Sequence, residues 1–309
     1  NKDILFIMIN SKTKVAVVFG GRSVEHEVSI LTAMQVFENI NREKYDIIPV
    51  YIDKNGRWFV DEKLGRIDSF RNLKIKEINA PEYFFAVSPS VKSLLPKSTI
   101  KSFFNKISAD IYFPVIHGTY GEDGTLQGML EMANVPYAGS GVTGSAVGMD
   151  KIIQKAVFKD AGLSVVKYVW FLKSEWQDNK VKIIENIEKT LGYPVFVKPA
   201  NLGSSIAINK ASGLKELEWA IEVASSFDRR IIIEEGKEGI IEINCSVIGN
   251  NNELTASVCE QPIKSDQMLT YEDKYLKGGE IKGMAGLSRL VPAPINEELT
   301  KKIQDMAKR

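Results

Sequence analysis

Apolar and polar positions along this chain repeat at two different periods, and the switches between them outline its elements. From Lys14 the run Val15 to Phe19 is continuously apolar, the pattern of a parallel strand covered on both faces. Gly20-Gly21-Arg22-Ser23 forms a tight loop. Val28, Leu31, Met34 and Phe37 then recur near helical spacing and predict a helix ending near Asn41. Tyr45 to Ile52 reads as a second strand, with Pro49 pointing to an edge or a bulge. Lys54-Asn55-Gly56 reads as a hairpin turn into Trp58 to Val60. Residues 61–108 carry no long period. Ile111 to Ile116 is a further buried strand ending at His117-Gly118, Thr125 to Ala133 returns to helical spacing, and Val135 to Tyr137 is the last strand of this stretch. Strand and helix alternate over residues 14–139, which predicts an open parallel α/β domain.

A second unit begins near Ser140. Helical spacing covers Lys151 to Ala161, Lys180 to Leu191 and the series Leu214, Leu217, Ile221 and Ala224. Strands are expected over Val165 to Phe171, Pro194 to Val197, Ile231 to Glu235, Ile240 to Ile248 and Glu253 to Cys259, the last two flanking the turn cluster Gly249 to Asn252. This pattern is α+β, an antiparallel sheet more than a doubly wound one. A helix is expected over Asn296 to Lys308.

Composition narrows the class. A length of 309 residues suggests about two domains, with three small ones as the alternative. The 40 basic and 39 acidic residues leave a net charge of +1, which gives no pointer to a nucleic-acid or membrane partner. Cys245 and Cys259 are the only cysteines and form no CxxC, so a disulfide scaffold and a zinc site are disfavoured and a reducing cytoplasm fits. The apolar run Ile4 to Ile9 is too short for a membrane span. The chain starts at Asn1 rather than Met, and residues 1–11 are left out of the fold expectation.

Candidate chemistry centres on Phe196-Val-Lys-Pro-Ala-Asn-Leu-Gly-Ser-Ser-Ile206. A strand ends in Lys198, Pro199 stops regular pairing, and Asn201, Gly203, Ser204 and Ser205 make a polar loop before Ile206 to Ile208 resumes a strand. Backbone N–H groups of such a loop can approach phosphate oxygens, and the lysine adds a point charge. An ordinary hairpin with an exposed lysine has the same composition. Gly20-Gly21 with Glu25 and Glu27 lies at the carboxyl end of the first strand, where open α/β sheets bind ligands. His117-Gly-Thr-Tyr-Gly-Glu-Asp-Gly-Thr125 carries three glycines and suits a loop that approaches something closely. His117 would donate to a substrate carboxylate with Glu122 behind it, or be a buried structural histidine. Asp150-Lys151 reads as a helix cap with a charge, and Tyr271-Glu-Asp-Lys-Tyr275 before Gly278-Gly279 reads as a mobile surface loop.

Gly139-Ser-Gly141-Val-Thr-Gly144 matches the spacing of a dinucleotide-binding turn. It follows the last strand of its domain rather than the first, and no acidic residue answers it about 20 residues on, so a nicotinamide cofactor is not expected.

Together these clusters resemble the D-alanine–D-alanine ligase family. Val17-Val-Phe-Gly-Gly-Arg-Ser-Val-Glu-His-Glu-Val-Ser29 resembles its opening motif and His117-Gly-Thr-Tyr-Gly-Glu-Asp-Gly-Thr-Leu-Gln-Gly128 its second. Met149-Asp150-Lys151, Phe196-Val-Lys-Pro199 with Gly203-Ser204-Ser205, and Tyr271-Glu-Asp-Lys-Tyr275 follow in order, so the likeness runs from residue 14 to about 294. It implies an ATP-grasp fold, mixed α/β and α+β, with an N-terminal α/β substrate-binding domain over residues 12–139. A central ATP-grasp subdomain over 140–233 and a C-terminal one over 234–309 would clamp ATP.

The resemblance also implies a reaction and a set of roles. One D-alanine carboxylate attacks the γ-phosphate of ATP, and the amine of a second D-alanine then displaces phosphate from the acyl phosphate, giving a peptidoglycan precursor for cell-wall synthesis and cell shape. Lys151 and Lys198 would contact the ATP phosphates, and Gly203, Ser204 and Ser205 would cover them. Glu25 would hold the first ammonium and form, with Ser204 and Tyr275, a latch over the site. Lys274 would reach the transferred phosphate. Glu234 or Glu235 would begin the adenine-lining segment and Glu242 would bind ribose, although Glu234-Glu-Gly-Lys-Glu-Gly-Ile-Ile-Glu242 is about one residue longer than the family spacing. Mg²⁺, with Mn²⁺ as the alternative, is expected with ligands beyond Arg309. A cytoplasmic homodimer is implied, with D-alanine and ATP as small-molecule partners. The other readings are a D-alanine–D-serine ligase, another ATP-grasp carboxylate–amine ligase, and a nucleotide-binding protein without catalysis. Tyr275, where ester-forming relatives carry a histidine, implies that two amino acids are joined.

Overall fold

The computed structural model describes residues 12–70, 80–97, 105–250, 253–263 and 289–309. The chain divides into two units, Asn1–Met149 and Asp150–Arg309.

The first unit is built on a six-stranded sheet. Next to one edge, β1 (Thr13–Gly20) pairs in parallel with β2 (Tyr45–Ile52) on one side and with the edge strand β6 (Ile111–Pro114) on the other. The continuous apolar run has the cause expected of it. Val15, Val17 and Phe19 point into a core with Ile30, Ala33, Met34 and Phe37 of α1 (His26–Asn39). Ala16 and Val18 point the other way, toward Leu126 and Leu130 of α2 (Thr125–Met132). A helix on each side leaves no polar face for the strand.

The outer half of this sheet is antiparallel, which the sequence does not announce. β3 (Trp58–Val60), β4 (Glu82–Phe85) and β5 (Leu94–Pro96) extend it from β2 as a meander. Pro49 marks neither an edge strand nor a bulge. It stays in register opposite Val17, and pairing with β3 begins only at Val50. Its missing N–H therefore falls just outside the β3 ladder. Val135 to Tyr137 forms no named strand, only a single bridge from Tyr137 to Tyr112. The unit ends with α3 (Val142–Met149).

The second unit carries an antiparallel sheet in the order β7-β10-β8-β9, from β7 (Tyr168–Leu172), β8 (Val195–Pro199), β9 (Asn209–Ala211) and β10 (Arg230–Glu235). One face is apolar. Val195, Val197, Ile231 and Ile233 pack against Trp176 and Ile187 of α5 (Lys173–Thr190) and Leu217, Ala220, Ile221 and Ala224 of α6 (Leu214–Ser225). The other face takes Ile152 of α4 (Lys151–Asp160) against Ile232, Ala200 and Tyr168. The strand expected over Ile206 to Ile208 begins only at Asn209, because the backbone turns at Ser204, Ser205 and Ala207. Pro199 does not stop pairing either: it is the last residue of β8, opposite Ile231. The strands expected over Ile240 to Ile248 and Glu253 to Cys259 shorten to β11 (Val247–Asn250) and β12 (Glu253–Ala256), a hairpin of their own. β13 (Gln261–Pro262) pairs with β14 (Arg289–Leu290), and α7 (Glu297–Lys308) follows with Asn296 as its N-cap. Among the described residues no helix is long and apolar enough to cross a membrane.

Candidate active site

In the first unit the candidate residues stand on loops after strands. β1 ends at Gly20 and Gly21, both with positive φ, and Gly21 N–H reaches Ile52 O at 2.7 Å. The turn is tied down from α1. Ser29 accepts from Gly20 N at 2.8 Å and donates to Val115 O at 2.7 Å, joining the ends of two neighbouring strands. This places Glu25 at the start of α1, nearly fully buried. Gly118 lies directly against it: a Cβ added there would fall 2.3 Å from Glu25 Oε2 and 2.6 Å from Ser23 Oγ. The two sequence motifs of this unit thus meet, and the glycine is what allows it.

His117 bonds through Nε2 to Thr32 Oγ1 at 2.7 Å. Glu122 stands farther off, with Oε1 3.8 Å from His117 Nδ1, and its other oxygen accepts from Gly118 N at 2.7 Å. Glu122 therefore shapes the loop, and Thr32 orients the histidine. His117, Glu122 and Thr32 line a cavity of about 580 Å³ together with Gly139, Ser140 and Gly144 of the segment whose spacing imitates a dinucleotide turn.

In the second unit the candidates stand on the sheet face itself. Cross-strand pairing puts Lys198 opposite Ile232 and Phe196 opposite Glu234 and Lys210, so all five side chains project from the face that α5 and α6 leave uncovered. They lie beside α4, whose cap is Asp150: its carboxylate accepts from Ile152 N and Ile153 N and pairs with Arg230. Lys198 Nζ donates to Glu234 Oε2 at 2.5 Å. Lys151 Nζ donates to Leu202 O at 2.5 Å. Burial, and then repulsion by Lys198, pull the Lys151 ammonium down to about 8. The Lys198 charge is felt at Lys151, so the two ammonium groups lie near one another.

A cleft of about 720 Å³ opens over this face, lined among others by Lys198, Ser205, Glu234, Glu235 and Glu242. Lys151, Gly203 and Ser204 are not among its lining residues. Glu234 and Glu235 alternate along β10 and face different partners. Glu234 is buried under the lysines, while Glu235 accepts from Lys167 N at 2.8 Å and pairs with Lys237 at 2.8 Å. Ser204, Ser205 and Ala207 all hold positive φ, at 49°, 61° and 57°. Non-glycine residues rarely sit there, and such strain clusters at ligand-binding loops. Lys274 and Tyr275 lie outside the described residues.

Sequence reasoning missed Lys155. Its Nζ is 3.0 Å from Glu234 Oε1. The signal was present, since Lys155 is one helical turn beyond Lys151 on a helix that periodicity predicts. Thr32 and Ser29 were missed because their partners come from a distant strand end.

A sheet with a lysine- and glutamate-lined face beside a small-residue loop fits the ATP-grasp class, and solved structures agree with that class. A D-Ala:D-Ser ligase from Enterococcus faecalis aligns with a TM-score of 0.77 and 35% identity, covering 96% of this chain and 81% of that one. A D-alanine–D-alanine ligase from Coxiella burnetii aligns with a TM-score of 0.73 and 28% identity, covering 96% and 76%. The chain belongs to the D-alanine–D-alanine ligase family: the family profile described as D-ala D-ala ligase N-terminus matches residues 14–140, and that described as D-ala D-ala ligase C-terminus matches 157–309. The D-alanine–D-alanine ligase of Bacillus cytotoxicus is 40% identical over 298 residues, 95% of this chain and 77% of the relative. That of Natranaerobius thermophilus is 40% identical over 297 residues, 96% of this chain and 77% of the relative.

Proposed function

We propose that the protein is an ATP-dependent ligase that joins two D-alanines through a D-alanyl phosphate, supplying a peptidoglycan precursor. The observation that carries this reading is the 720 Å³ cleft lined by Lys198, Ser205, Glu234, Glu235 and Glu242, in a chain whose two halves both belong to the family. Charge spread over a transferring phosphoryl group needs fixed cations more than covalent help. Lys198 and Lys151 supply them. The backbone of Gly203 to Ser205 covers the phosphates, Glu235 and Glu242 line the nucleoside end, and Glu234 anchors Lys198. Glu25, held at the end of β1, takes the ammonium of the first D-alanine, and His117 with Glu122 shapes the neighbouring cavity. Lys274 is assigned to the transferred phosphate, and Tyr275 and Ser204 to the closed site that keeps water from the acyl phosphate.

The same proposal includes a cytoplasmic homodimer, a subdivision of the second half near residue 234, and a divalent ion, Mg²⁺ or Mn²⁺, accompanying ATP. Among the described residues no three His, Cys, Asp or Glu side chains cluster as a metal ion requires.

The test is phosphate release from ATP with D-alanine, D-serine and D-lactate as competing acceptors, with products identified by mass. D-alanyl-D-alanine as the main product is expected. Mainly alanyl-serine would move the chain toward the activity named for the Enterococcus faecalis structure. Nucleotide binding without phosphate release would overturn the catalytic reading.

A further inference from the structure

Lys155 has no part in the roles assigned above. We propose that it is a positioning residue: it neutralises Glu234 and thereby leaves the charge of Lys198 available to the phosphates of ATP. This rests on the ATP-dependent reading of the same cleft.

Glu234 stands between two ammonium groups. Oε2 is 2.5 Å from Lys198 Nζ and Oε1 is 3.0 Å from Lys155 Nζ. The side chains are 10% exposed for Glu234, 20% for Lys198 and 14% for Lys155. Water therefore screens this cluster weakly. Lys198 paired with Glu234 alone would sum to zero and present a phosphate with a dipole. A second cation on the far carboxylate oxygen returns the group to a net positive charge while Glu234 keeps its grip on Lys198.

Lys155 itself is kept out of the cleft. Lys198 and Glu234 line the cavity and Lys155 does not. Its ammonium lies 5.7 Å from the centre of the Tyr168 ring, and Tyr168 is the residue opposite Glu234 on β7. Lys155 thus bears on Lys198 through Glu234, which stands between them. Burial acts to raise the Glu234 carboxyl, yet Lys198 and Lys155 together hold it below the ordinary range, so the anion is permanent near neutral pH. A permanent buried anion beside a phosphate site is a liability unless it is matched, and Lys155 is the match.

The experiment is a double-mutant cycle on ATP, read both as KM and as the Kd of ATP by calorimetry. Lys155→Met should raise both by about tenfold, with kcat changing less than about threefold, because an interaction with bound ATP is lost and the chemistry is not. Lys155→Arg should restore most of the affinity. Lys155→Met combined with Glu234→Gln should bind ATP more tightly than Lys155→Met alone, since removing the anion frees Lys198 again. A merely structural lysine would not produce that recovery. If Lys155→Met does not fold, Lys155→Gln takes its place in the cycle. Unchanged affinity in the single variant, or a double variant no better than the single, would overturn the proposal. Failure of the ligase reading shows differently, as wild-type protein that binds ATP without releasing phosphate, and the calorimetric cycle still decides the role of Lys155.

Discussion

The two sheets of this protein solve opposite problems. In the first unit, β1 is buried on both faces and its side chains do nothing but pack. The chemistry there is displaced to the loops at strand ends, Gly20 to Glu25 and His117 to Thr125. In the second unit the larger apolar core lies on one face of the sheet, and the other face has only the small cluster around Ile152 and Ile232. The other face also carries Lys198, Glu234, Lys210 and Phe196, so the strands themselves hold the candidate groups. A side chain on a strand is fixed by its neighbours in the ladder, and its removal need not disturb the fold. A loop residue is held by turns and caps, and disturbing those disturbs both fold and site.

The largest effect tests the sheet-face half of that contrast. Lys198→Ala should lower kcat/KM for ATP on the order of 10²-fold, as removal of one electrostatic stabiliser does elsewhere. Thermal unfolding should move little, because the lysine stands on the cleft side of β8 and leaves the opposite core intact. A near-normal rate would show that Lys198 is only a surface charge, and a collapse of stability would erase the contrast.

A pH profile sharpens the same half. Lys151 has its ammonium lowered to about 8 by burial first and Lys198 second. The charged form is present below that value and is lost as pH rises through it. Bound phosphates favour the charged form, so the loss belongs to the free enzyme and to kcat/KM for ATP rather than to kcat. Above about pH 8, kcat/KM should fall up to tenfold per unit, and Lys151→Arg should flatten that limb because a guanidinium stays protonated. A limb that appears only in kcat would assign the titration to another group.

The loop half is tested with two glycines. At Gly20, φ is +89° and an added Cβ would fall 2.2 Å from the Ile52 carbonyl oxygen, a backbone atom that cannot step aside. Gly20→Ala should cost about 1–3 kcal/mol of stability or more, read by urea unfolding. At Gly118, φ is +73° and the obstacles are the ends of the Glu25 and Ser23 side chains. Gly118→Ala should cost less stability, because those ends can swing away, and it should raise KM for D-alanine as Glu25 moves. Equal stability losses with no change in KM would mean that Glu25 is not held for substrate.

The parts legible in the sequence are those fixed by local pattern. Val15 to Phe19 could only be a strand covered twice, and Asp150, directly ahead of a helical period, reads as its cap. Lys198 was legible as a cation at the end of β8. What the sequence did not show depends on distant partners. Nothing in Glu82 to Pro96 announces an antiparallel extension of a parallel sheet, because short half-buried strands lack a period of their own. Pro49 misled because a proline needs only a missing neighbour at its own position, not a strand edge. The Ile206 to Ile208 segment is apolar enough for a strand, yet the positive φ values around it forbid one. Lys155 was overlooked although helical spacing placed it beside Lys151, because its partner is 79 residues away on β10.

The smallest effect lies under the first unit's loops. His26 is buried at the start of α1, where its Nδ1–H donates to Gly21 O at 2.7 Å and the Tyr51 hydroxyl donates to Nε2 at 3.0 Å. Both ring nitrogens are satisfied by the neutral imidazole; a second ring proton would make the Tyr51 hydroxyl the acceptor and leave an imidazolium charge in a buried site. Burial is the main cause that lowers its pKa below 6.5; the Gly21 carbonyl, Glu27 and Asp53 act the other way, and Lys54 adds to the lowering. The unfolded chain therefore binds this proton first on acidification. Stability contributed by neutral His26 is full above 6.5 and is lost as pH falls from there toward the folded value. Between about pH 7.5 and pH 5.5 the urea midpoint of the wild type should fall, and that of His26→Asn should fall less, since its amide N–H can replace Nδ1–H without titrating. Wild type and variant falling in parallel would place the acid sensitivity elsewhere and leave the Ser29 bonds to Gly20 and Val115 as what ties down the loop that carries Glu25.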